Sequence, residues 1–287
     1  MGTAVQVLSL NHPLRIAEEI ATVDQISKGR FEFGVGRSGV VRSYDVYGVP
    51  YAESQARFHE ALTIIREAWK GEPFSHEGEF YRFENATVSP RPYQDPHPPL
   101  RMATTSFETF SVAGRLGLPI FVGLRATEIA DLKVSLAAYR QAWSEAGHAV
   151  EPSVYVRIPV YAAATEKAAM EEPRESITAF FARQAELARS SVGRAGAGPA
   201  DRRRSQVERM ANLSYDDILA RKVAFGTPAR LIDRLTELRE ELGIDGILME
   251  PNSGGLIPPE LERESLRIFT HEVMPALRSA VAASSPR

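Results

Sequence analysis

An arginine that follows two glycines at the end of an apolar run suits an anionic ligand. Residues 31–35 have the alternation of a short strand, which ends in Gly36 and Arg37. Because Gly34 and Gly36 lack side chains, the backbone can approach a ligand closely there. Arg37 then stands at the carboxyl end of the strand, where parallel α/β folds bind ligands, and a guanidinium beside bare amides suits a phosphate. The alternative is an ordinary turn from which Arg37 reaches solvent.

Three hydroxyl side chains form a second candidate anion site. Thr105, Ser106 and Thr109 directly follow a strand-like segment at residues 100–104. We predict that they lie on the first turn of a helix, where unpaired backbone amides and the helix dipole already favour an anion. The alternative is that Thr105 or Ser106 only caps the helix.

Few other residues indicate catalysis or metal binding. The chain has no cysteine, which excludes disulfides, thiolate metal sites and cysteine nucleophiles. The spacing of His, Asp and Glu indicates no metal site and no catalytic carboxylate pair. His12 lies just past the end of a predicted strand and is a candidate general base, although its position at the start of a helix explains it more simply. No catalytic residue is therefore predicted.

The elements that position these residues begin with a helix predicted over residues 13–27. Asn11 and Pro13 are typical of a helix start. Apolar residues recur every three or four positions and predict one inward face. They are Ile16, Ile20, Val23 and Ile26. The charged residues between them, Asp24 included, are expected to face solvent.

Strands and helices alternate along the rest of the chain. Strands are predicted at residues 3–10, 30–35, 100–104, 119–122, 154–164 and 246–250. Further helices are predicted at residues 51–70, 105–117, 127–146, 166–188 with a break at Pro173, 227–242 and 260–277. A hairpin is expected at residues 80–93, outside the main sheet.

Six strands that are each followed by a helix predict an α/β fold, either a wound parallel sheet or a (β/α)8 TIM-type barrel. We expect a single domain over residues 1–287. Since eight units take about 250 residues, we expect the first two βα units, roughly 60 residues, to be lacking before Thr3.

Composition excludes several classes of protein. The net charge of −3 gives no electrostatic case for binding nucleic acid or an anionic membrane. No apolar run approaches the ~20 residues of a membrane span, and the first residues lack the pattern of a secretion signal. A cytoplasmic location is the expectation.

The order of these signals resembles the bacterial luciferase-like, flavin-dependent monooxygenase family over residues 2–277. The resemblance rests on segments whose order and spacing are more specific than any one of them. They are Gly2-Thr3-Ala4-Val5, Asn11-His12-Pro13-Leu14-Arg15, Gln25-Ile26-Ser27-Lys28-Gly29-Arg30-Phe31, Gly34-Val35-Gly36-Arg37, Gly117-Leu118-Pro119 and Val273-Met274-Pro275-Ala276-Leu277. The first four look like the third and fourth barrel strands of the family with the helix between them.

The resemblance implies a set of cofactor-binding residues. Arg37 matches the phosphate-binding arginine of the family, and Ser106 and Thr109 match its phosphate ligands, with Thr105 beside them. Arg57 is a further phosphate ligand or only pairs on the helix surface. Ala4 and Val5 lie where the family can have a non-proline cis peptide under the flavin ring.

The resemblance also implies the chemistry. Reduced FMN reacts with O2 at its C4a carbon, and the resulting hydroperoxyflavin oxygenates a small organic substrate, an aldehyde among the candidates. A separate NAD(P)H-dependent flavin reductase supplies the reduced FMN, and a homodimer is expected. The resemblance places the family's best-known active-site histidine on the second strand, in the segment that we expect this chain to lack. Residues 190–215 are predicted as a mobile loop insertion, either a lid over the flavin or a disordered surface loop.

Three alternatives stay open. The first is a deazaflavin-dependent oxidoreductase, which transfers hydride and needs no oxygen. The second is a non-catalytic flavin-binding or partner subunit of a luciferase-like pair. The third is a fragment that exposes an open sheet edge and does not fold alone.

Overall fold

Short parallel strands alternate with longer helices along the chain. The computed structural model describes residues 1–195 and 200–284. Its strands are β1 (Gln6–Val7), β2 (Phe33–Gly36), β3 (Phe74–Glu77), β4 (Arg82–Ala86), β5 (Leu100–Ala103), β6 (Ile120–Gly123), β7 (Val154–Ala162), β8 (Ala224–Gly226) and β9 (Gly246–Glu250). Strands β3 and β4 pair antiparallel in a hairpin, which begins at Phe74 and therefore earlier than the predicted range of residues 80–93.

The helices agree with the predicted order and add to it. They are α1 (Pro13–Ser27), α2 (Val41–Tyr47), α3 (Ser54–Ala68), α4 (Phe107–Arg115), α5 (Ile129–Glu145), α6 (Glu166–Glu171), α7 (Arg174–Arg189), α8 (Ala200–Ala211), α9 (Tyr215–Arg221), α10 (Pro228–Leu242), α11 (Pro259–Ile268) and α12 (Met274–Ser284). The predicted break at Pro173 is confirmed, since it separates α6 from α7.

The described residues divide into two compact units. Unit 1 comprises Met1–Thr104, Leu116–Ile120 and Ala188–Arg204, and unit 2 comprises Thr105–Arg115, Phe121–Leu187 and the chain from Ser205. The single domain over residues 1–287 stays a prediction.

In unit 1, β2 is the central strand of a parallel group. Gln6 of β1 pairs with Val35, and Leu100 of β5 pairs with Phe33. All four residues of β2 are buried. Because parallel strands end at the same edge, the residues that follow β2 and β5 leave the sheet on its ligand-binding side.

In unit 2, β7 is the longest strand and has two parallel partners. Its first half pairs with β9, from Tyr155 with Gly246 to Pro159 with Glu250. Its second half pairs with β8, beginning with Val160 and Ala224. The predicted α/β class is confirmed, and closure into a barrel stays a prediction.

Helix α1 has the predicted bounds, but its buried face differs. Ile16 and Ile20 are buried as expected, whereas Ile26 is exposed and Asp24 is fully buried. The Asp24 carboxylate accepts hydrogen bonds from the backbone N–H groups of Tyr93 and Gln94, both at 2.9 Å. The prediction that Asp24 faces solvent is therefore wrong, because the segment after the hairpin folds over this side of α1.

The structure forms α8 within the predicted loop insertion at residues 190–215, and the insertion itself stays a prediction. Residues 196–199 of that stretch lie outside the described residues. Mobility of the remainder and a role as a lid stay predictions.

None of the helices in the described ranges combines the length and the apolar character that a bilayer crossing requires.

Candidate functional site

Arg37 leaves the carboxyl end of β2, and side chains near the start of α3 orient it. Its Nη1 donates to the Ser54 hydroxyl at 3.2 Å, and its guanidinium carbon lies 5.2 Å from the centre of the Tyr51 ring. The Ser54 hydroxyl donates its own proton to the Tyr51 carbonyl at 2.5 Å, so a lone pair is left to face Arg37. Both of these contacts are with neutral groups, and they orient the guanidinium. Such an arrangement suits an anion, as the sequence predicts.

A second layer fixes the backbone at Arg37. The fully buried Tyr44 of α2 donates its hydroxyl proton to the Arg37 carbonyl, and its ring packs edge-on against Tyr51 at 4.9 Å between centroids. Burial raises the pKa of Tyr44, although hydrogen bonding to Ser9 acts in the opposite direction, so the hydroxyl stays a donor at neutral pH. Ser9, also buried, donates to the Ser54 carbonyl at 2.7 Å. The orientation of Arg37 therefore depends on packing across three elements.

The glycine before Arg37 makes room for a side chain of the protein. A Cβ on Gly36 would lie 2.6 Å from Val5 Cγ2 and 3.4 Å from Ala103 Cβ. The expectation that Gly36 lets a ligand approach closely is therefore wrong at this atom, because Val5 occupies the space. The peptide bond between Ala4 and Val5 is cis, in the position that the family resemblance indicates.

Arg57 adopts the surface pairing that the sequence left open. Its Nε and Nη2 lie 2.9 and 2.8 Å from Oε2 of Glu53, the residue directly before α3. Its guanidinium carbon lies 4.2 Å from the centre of the Phe80 ring. A role for Arg57 at a phosphate stays a prediction, and that role requires it to give up Glu53.

Glu60 attaches the hairpin to α3 and thereby holds Phe80 against Arg57. Its carboxylate accepts from the backbone N–H groups of Phe80 at 3.1 Å and Tyr81 at 2.9 Å, and His76 Nε2 lies 3.0 Å away. Burial acts to raise the pKa of Glu60, but the bonds from His76 and the two N–H groups outweigh it and lower the pKa.

We expect Glu60→Gln to destabilise the protein by about 1–2 kcal/mol at neutral pH, because a neutral acceptor replaces a charged one. The lowered pKa makes this stabilisation fully present above the ordinary value of 4.5 and lost as the pH falls through the folded-state pKa. Urea unfolding should therefore show the full difference in stability between the variant and the wild type at about pH 7, and this difference should shrink as the pH falls through the folded-state pKa of Glu60. Glu67→Gln, on an exposed position of the same helix, is the control. A pH-independent difference would contradict this account.

Thr105, Ser106 and Thr109 lie at the start of α4, but not all three are in its first turn as predicted. Because α4 begins at Phe107, Thr105 and Ser106 precede it, and only Thr109 lies in the first turn. The Ser106 carbonyl accepts from the Thr109 N–H at 2.9 Å and from the Thr109 hydroxyl at 2.6 Å. The Ser106 hydroxyl lies 3.4 Å from the Thr109 hydroxyl. Ser106 and Thr109 are thus brought together at a helix N-terminus, which favours an anion.

His12 is exposed at the position before α1, and its ring packs edge-on against Tyr81 at 5.4 Å. These contacts fit the helix-start explanation of its position. Within residues 1–195 and 200–284, no group of three or more His, Asp and Glu side chains could hold a metal ion.

Sequence reasoning missed the residues that orient Arg37. Ser54 lies 17 residues from Arg37 in the chain, so no local pattern links the two side chains. The only signal was the pair Val41 and Tyr44, which are spaced for one face of a short helix and are both buried.

Comparisons with known proteins identify the family of the chain. The family model for luciferase-like monooxygenases matches residues 1–246. The oxygenase component of the flavin-dependent trigonelline monooxygenase of Acinetobacter baylyi is 26% identical over 285 residues, which cover 96% of this chain and 76% of that protein. The FMNH2-dependent dimethylsulfone monooxygenase of Pseudomonas putida is 27% identical over 274 residues, covering 93% and 71% of the two chains.

Among solved structures, the coenzyme F420-dependent tetrahydromethanopterin reductase of Methanopyrus kandleri has the same fold. It aligns with a TM-score of 0.72 and 20% identity over 96% of this chain and 82% of its own.

Proposed function

The chain belongs to the luciferase-like monooxygenase family, and from that membership we propose that it is the oxygenase component of a two-component system that uses reduced FMN and O2. As an enzyme it is a flavin-dependent monooxygenase of the oxidoreductase class. We propose Ala4, Val5, Arg37, Arg57, Thr105, Ser106 and Thr109 as the residues that bind the cofactor. A small organic molecule is the substrate, and an aldehyde is one candidate.

The single observation that carries this proposal is the oriented Arg37 at the carboxyl end of β2. The Ser54 hydroxyl and the Tyr51 ring both contact the guanidinium, so it is oriented before a ligand binds. A preorganised arginine at this edge of a parallel sheet fits the phosphate of FMN. The contacts also support two different roles: Arg37 binds the phosphate, and Tyr44 and Ser54 position Arg37.

Bound reduced FMN supplies the oxygen-activating chemistry, which belongs to the cofactor. The residues of this chain bind and orient it. The backbone and side chain of Val5, packed against Gly36, form a fixed surface beside the end of β2, where the family resemblance assigns the flavin ring. We assign no residue as catalytic acid or base.

The start of α4 contributes to the same function in unit 2. We expect Ser106→Ala to weaken the binding of reduced FMN about 5-fold, the effect of losing one hydrogen bond of about 1 kcal/mol. Anaerobic titration with reduced FMN measures it, and Ser144→Ala, at an exposed position of α5, is the matched control. Equal affinities of Ser106→Ala and Ser144→Ala would remove Ser106 from the proposed site.

The partners follow from the two-component assignment. We propose that an NAD(P)H-dependent flavin reductase supplies reduced FMN, as the phrase "oxygenase component" in the name of the trigonelline relative supports. A homodimer and the use of O2 are part of the same proposal.

The decisive experiment compares cofactors. We expect reduced FMN to bind anaerobically and oxygen uptake above the free-flavin rate to follow when a flavin reductase, NADH and candidate substrates are added. Binding of reduced deazaflavin in its place, with substrate reduction and no oxygen uptake, would indicate the deazaflavin-dependent alternative, which the fold shared with the F420-dependent reductase allows. Binding of FMN without any substrate turnover would indicate a non-catalytic subunit.

A further inference from the structure

Three charged side chains of unit 2, two on strands and one just after a strand, form a cluster that has no part in the proposed cofactor site. Arg157 of β7 forms an ion pair with Glu250, the last residue of β9. Arg125 follows β6 by two residues and interacts electrostatically with both of them. The cluster therefore contains two guanidinium groups and one carboxylate.

Arg125 is the member of the cluster without an ion pair, because Glu250 already pairs with Arg157. It is partly buried, and among the described residues no hydrogen bond or ion pair involves its side chain. Burial lowers the pKa of Arg125, the positive charge of Arg157 acts in the same direction, and Glu250 opposes them only in part. A partly buried cation whose one carboxylate neighbour is already paired carries a desolvation cost that a bound anion would offset.

Side chains from other segments of unit 2 contact the residues that directly follow Arg125. The buried Lys222 donates to the Thr127 carbonyl at 3.1 Å and lies 2.8 Å from a carboxylate oxygen of Glu128. Gln206 donates to the Ala126 carbonyl at 3.2 Å. The three residues after Arg125 are therefore held by hydrogen bonds, which fixes the backbone from which the Arg125 side chain extends.

An apolar surface adjoins the charged cluster on the same side of the strands. Side chains two residues apart on a strand share a face, so Phe121 and Gly123 of β6 share one, and Tyr155 and Arg157 of β7 share another. The rings of Phe121 and Tyr155 meet at 6.4 Å between centroids. A Cβ on Gly123 would have only the Arg157 carbonyl oxygen within 4 Å, at 3.8 Å, so open space lies beside this strand.

We propose that Arg125 and the Arg157–Glu250 pair bind the anionic group of the substrate, and that this substrate is a small carboxylate with an apolar body. The body lies over Gly123 towards the rings of Phe121 and Tyr155. A planar guanidinium matches a carboxylate with two parallel hydrogen bonds, which favours this anion over a spherical one. That the ligand is a substrate rests on the proposed function, whereas its charge and shape rest on the cluster itself.

The test uses two probes that differ only in charge, 3-phenylpropanoate and its neutral amide, in calorimetric titrations of the full chain. We expect the wild type to prefer the carboxylate, and Arg125→Gln to weaken carboxylate binding about 10- to 100-fold while leaving amide binding unchanged. Arg183→Gln removes the same charge from an exposed position of unit 2 and should leave both probes unaffected. An unchanged ratio of carboxylate to amide affinity in Arg125→Gln would overturn the proposal.

A second variant predicts a change of opposite sign. Glu250→Gln removes the carboxylate that occupies Arg157, so we expect 3-phenylpropanoate to bind about 3- to 10-fold tighter than to the wild type. A loss of fold cannot produce tighter binding, so this variant keeps the test valid even if Arg125→Gln is unstable. Unchanged or weaker carboxylate binding in Glu250→Gln would contradict the assignment of the cluster.

Both titrations are made without flavin and repeated with reduced FMN bound, which separates the two proposals. A carboxylate preference that depends on Arg125, in a chain that does not bind reduced FMN, would support the anion site and remove the proposed function. If reduced FMN binds the wild type and Arg125→Gln equally and neither prefers the carboxylate, the proposed function would be supported and the anion site would be overturned.

Discussion

Arg37→Ala is expected to bind reduced FMN about 10- to 150-fold more weakly than the wild type, because one charged phosphate contact is worth about 1.5–3 kcal/mol. The loss should be at the high end of this range because Ser54 and Tyr51 hold the guanidinium before the ligand arrives, so little side-chain entropy is lost on binding. Anaerobic titration with reduced FMN measures the affinity. Riboflavin, which lacks the phosphate, should bind the variant and the wild type equally.

Two further variants identify the cause of that loss. Arg15→Ala removes the same charge from a position whose side chain is 71% exposed, and it should leave FMN affinity unchanged. Arg37→Lys keeps the charge and loses the planar fork, so an intermediate affinity is expected. Equal FMN binding by Arg37→Ala and Arg15→Ala would place the phosphate elsewhere.

The helices that sequence reasoning placed correctly are those whose ends carry local signals. Helix α1 begins at Pro13 and α10 at Pro228, and both have the predicted bounds because proline at the first helical position is a signal of the sequence itself. The C-terminal end of α10 is equally local, since Gly243 has a positive φ of 59°. These elements need no tertiary contact to be recognised.

The elements that were missed are short and depend on contacts from distant residues. Helix α2 has seven residues, and only Val41 and Tyr44 are buried, in a cluster with Tyr51. Strand β8 has three residues, too few to show any periodicity. The burial of Asp24 also depends on backbone groups 69 and 70 residues later in the chain. None of these features can be read from a window of local sequence.

The same distinction applies to the candidate site. Arg37 and Ser106 were recognisable because their residue types follow strands directly. The side chains that orient Arg37 were not, since Ser54 and Tyr44 meet it only after α2 and α3 have packed. For Gly36, the sequence indicated the absence of a side chain as important but not the structural reason for it. Its missing side chain accommodates Val5, which the sequence places 31 positions away.

Gly36→Ala is expected to destabilise the protein by about 1–3 kcal/mol, the usual cost of overpacking a core position. The new methyl group would lie 2.6 Å from Val5 Cγ2, and Val5 is β-branched and has few rotamers with which to move aside. The backbone of Gly36 carries no positive φ, so strain at this residue does not contribute. Urea unfolding at neutral pH measures the change, and Gly39→Ala is the matched control because a Cβ there meets nothing within 4 Å.

A second substitution decides whether Val5 is the cause. Val5→Ala removes the methyl group that would clash, so Gly36→Ala should cost much less in the Val5→Ala background than in the wild type, with a coupling of about 1–2 kcal/mol. If Gly36→Ala lowers the stability equally in the two backgrounds, Val5 is not the reason for glycine at this position. The reason is then either Ala103, whose Cβ lies 3.4 Å from the new methyl group, or a surface that faces a ligand. If the Val5 side chain does not contact the cofactor, the Gly36→Ala, Val5→Ala double variant should recover FMN affinity together with stability. If stability returns and FMN affinity does not, the Val5 side chain itself contacts the cofactor.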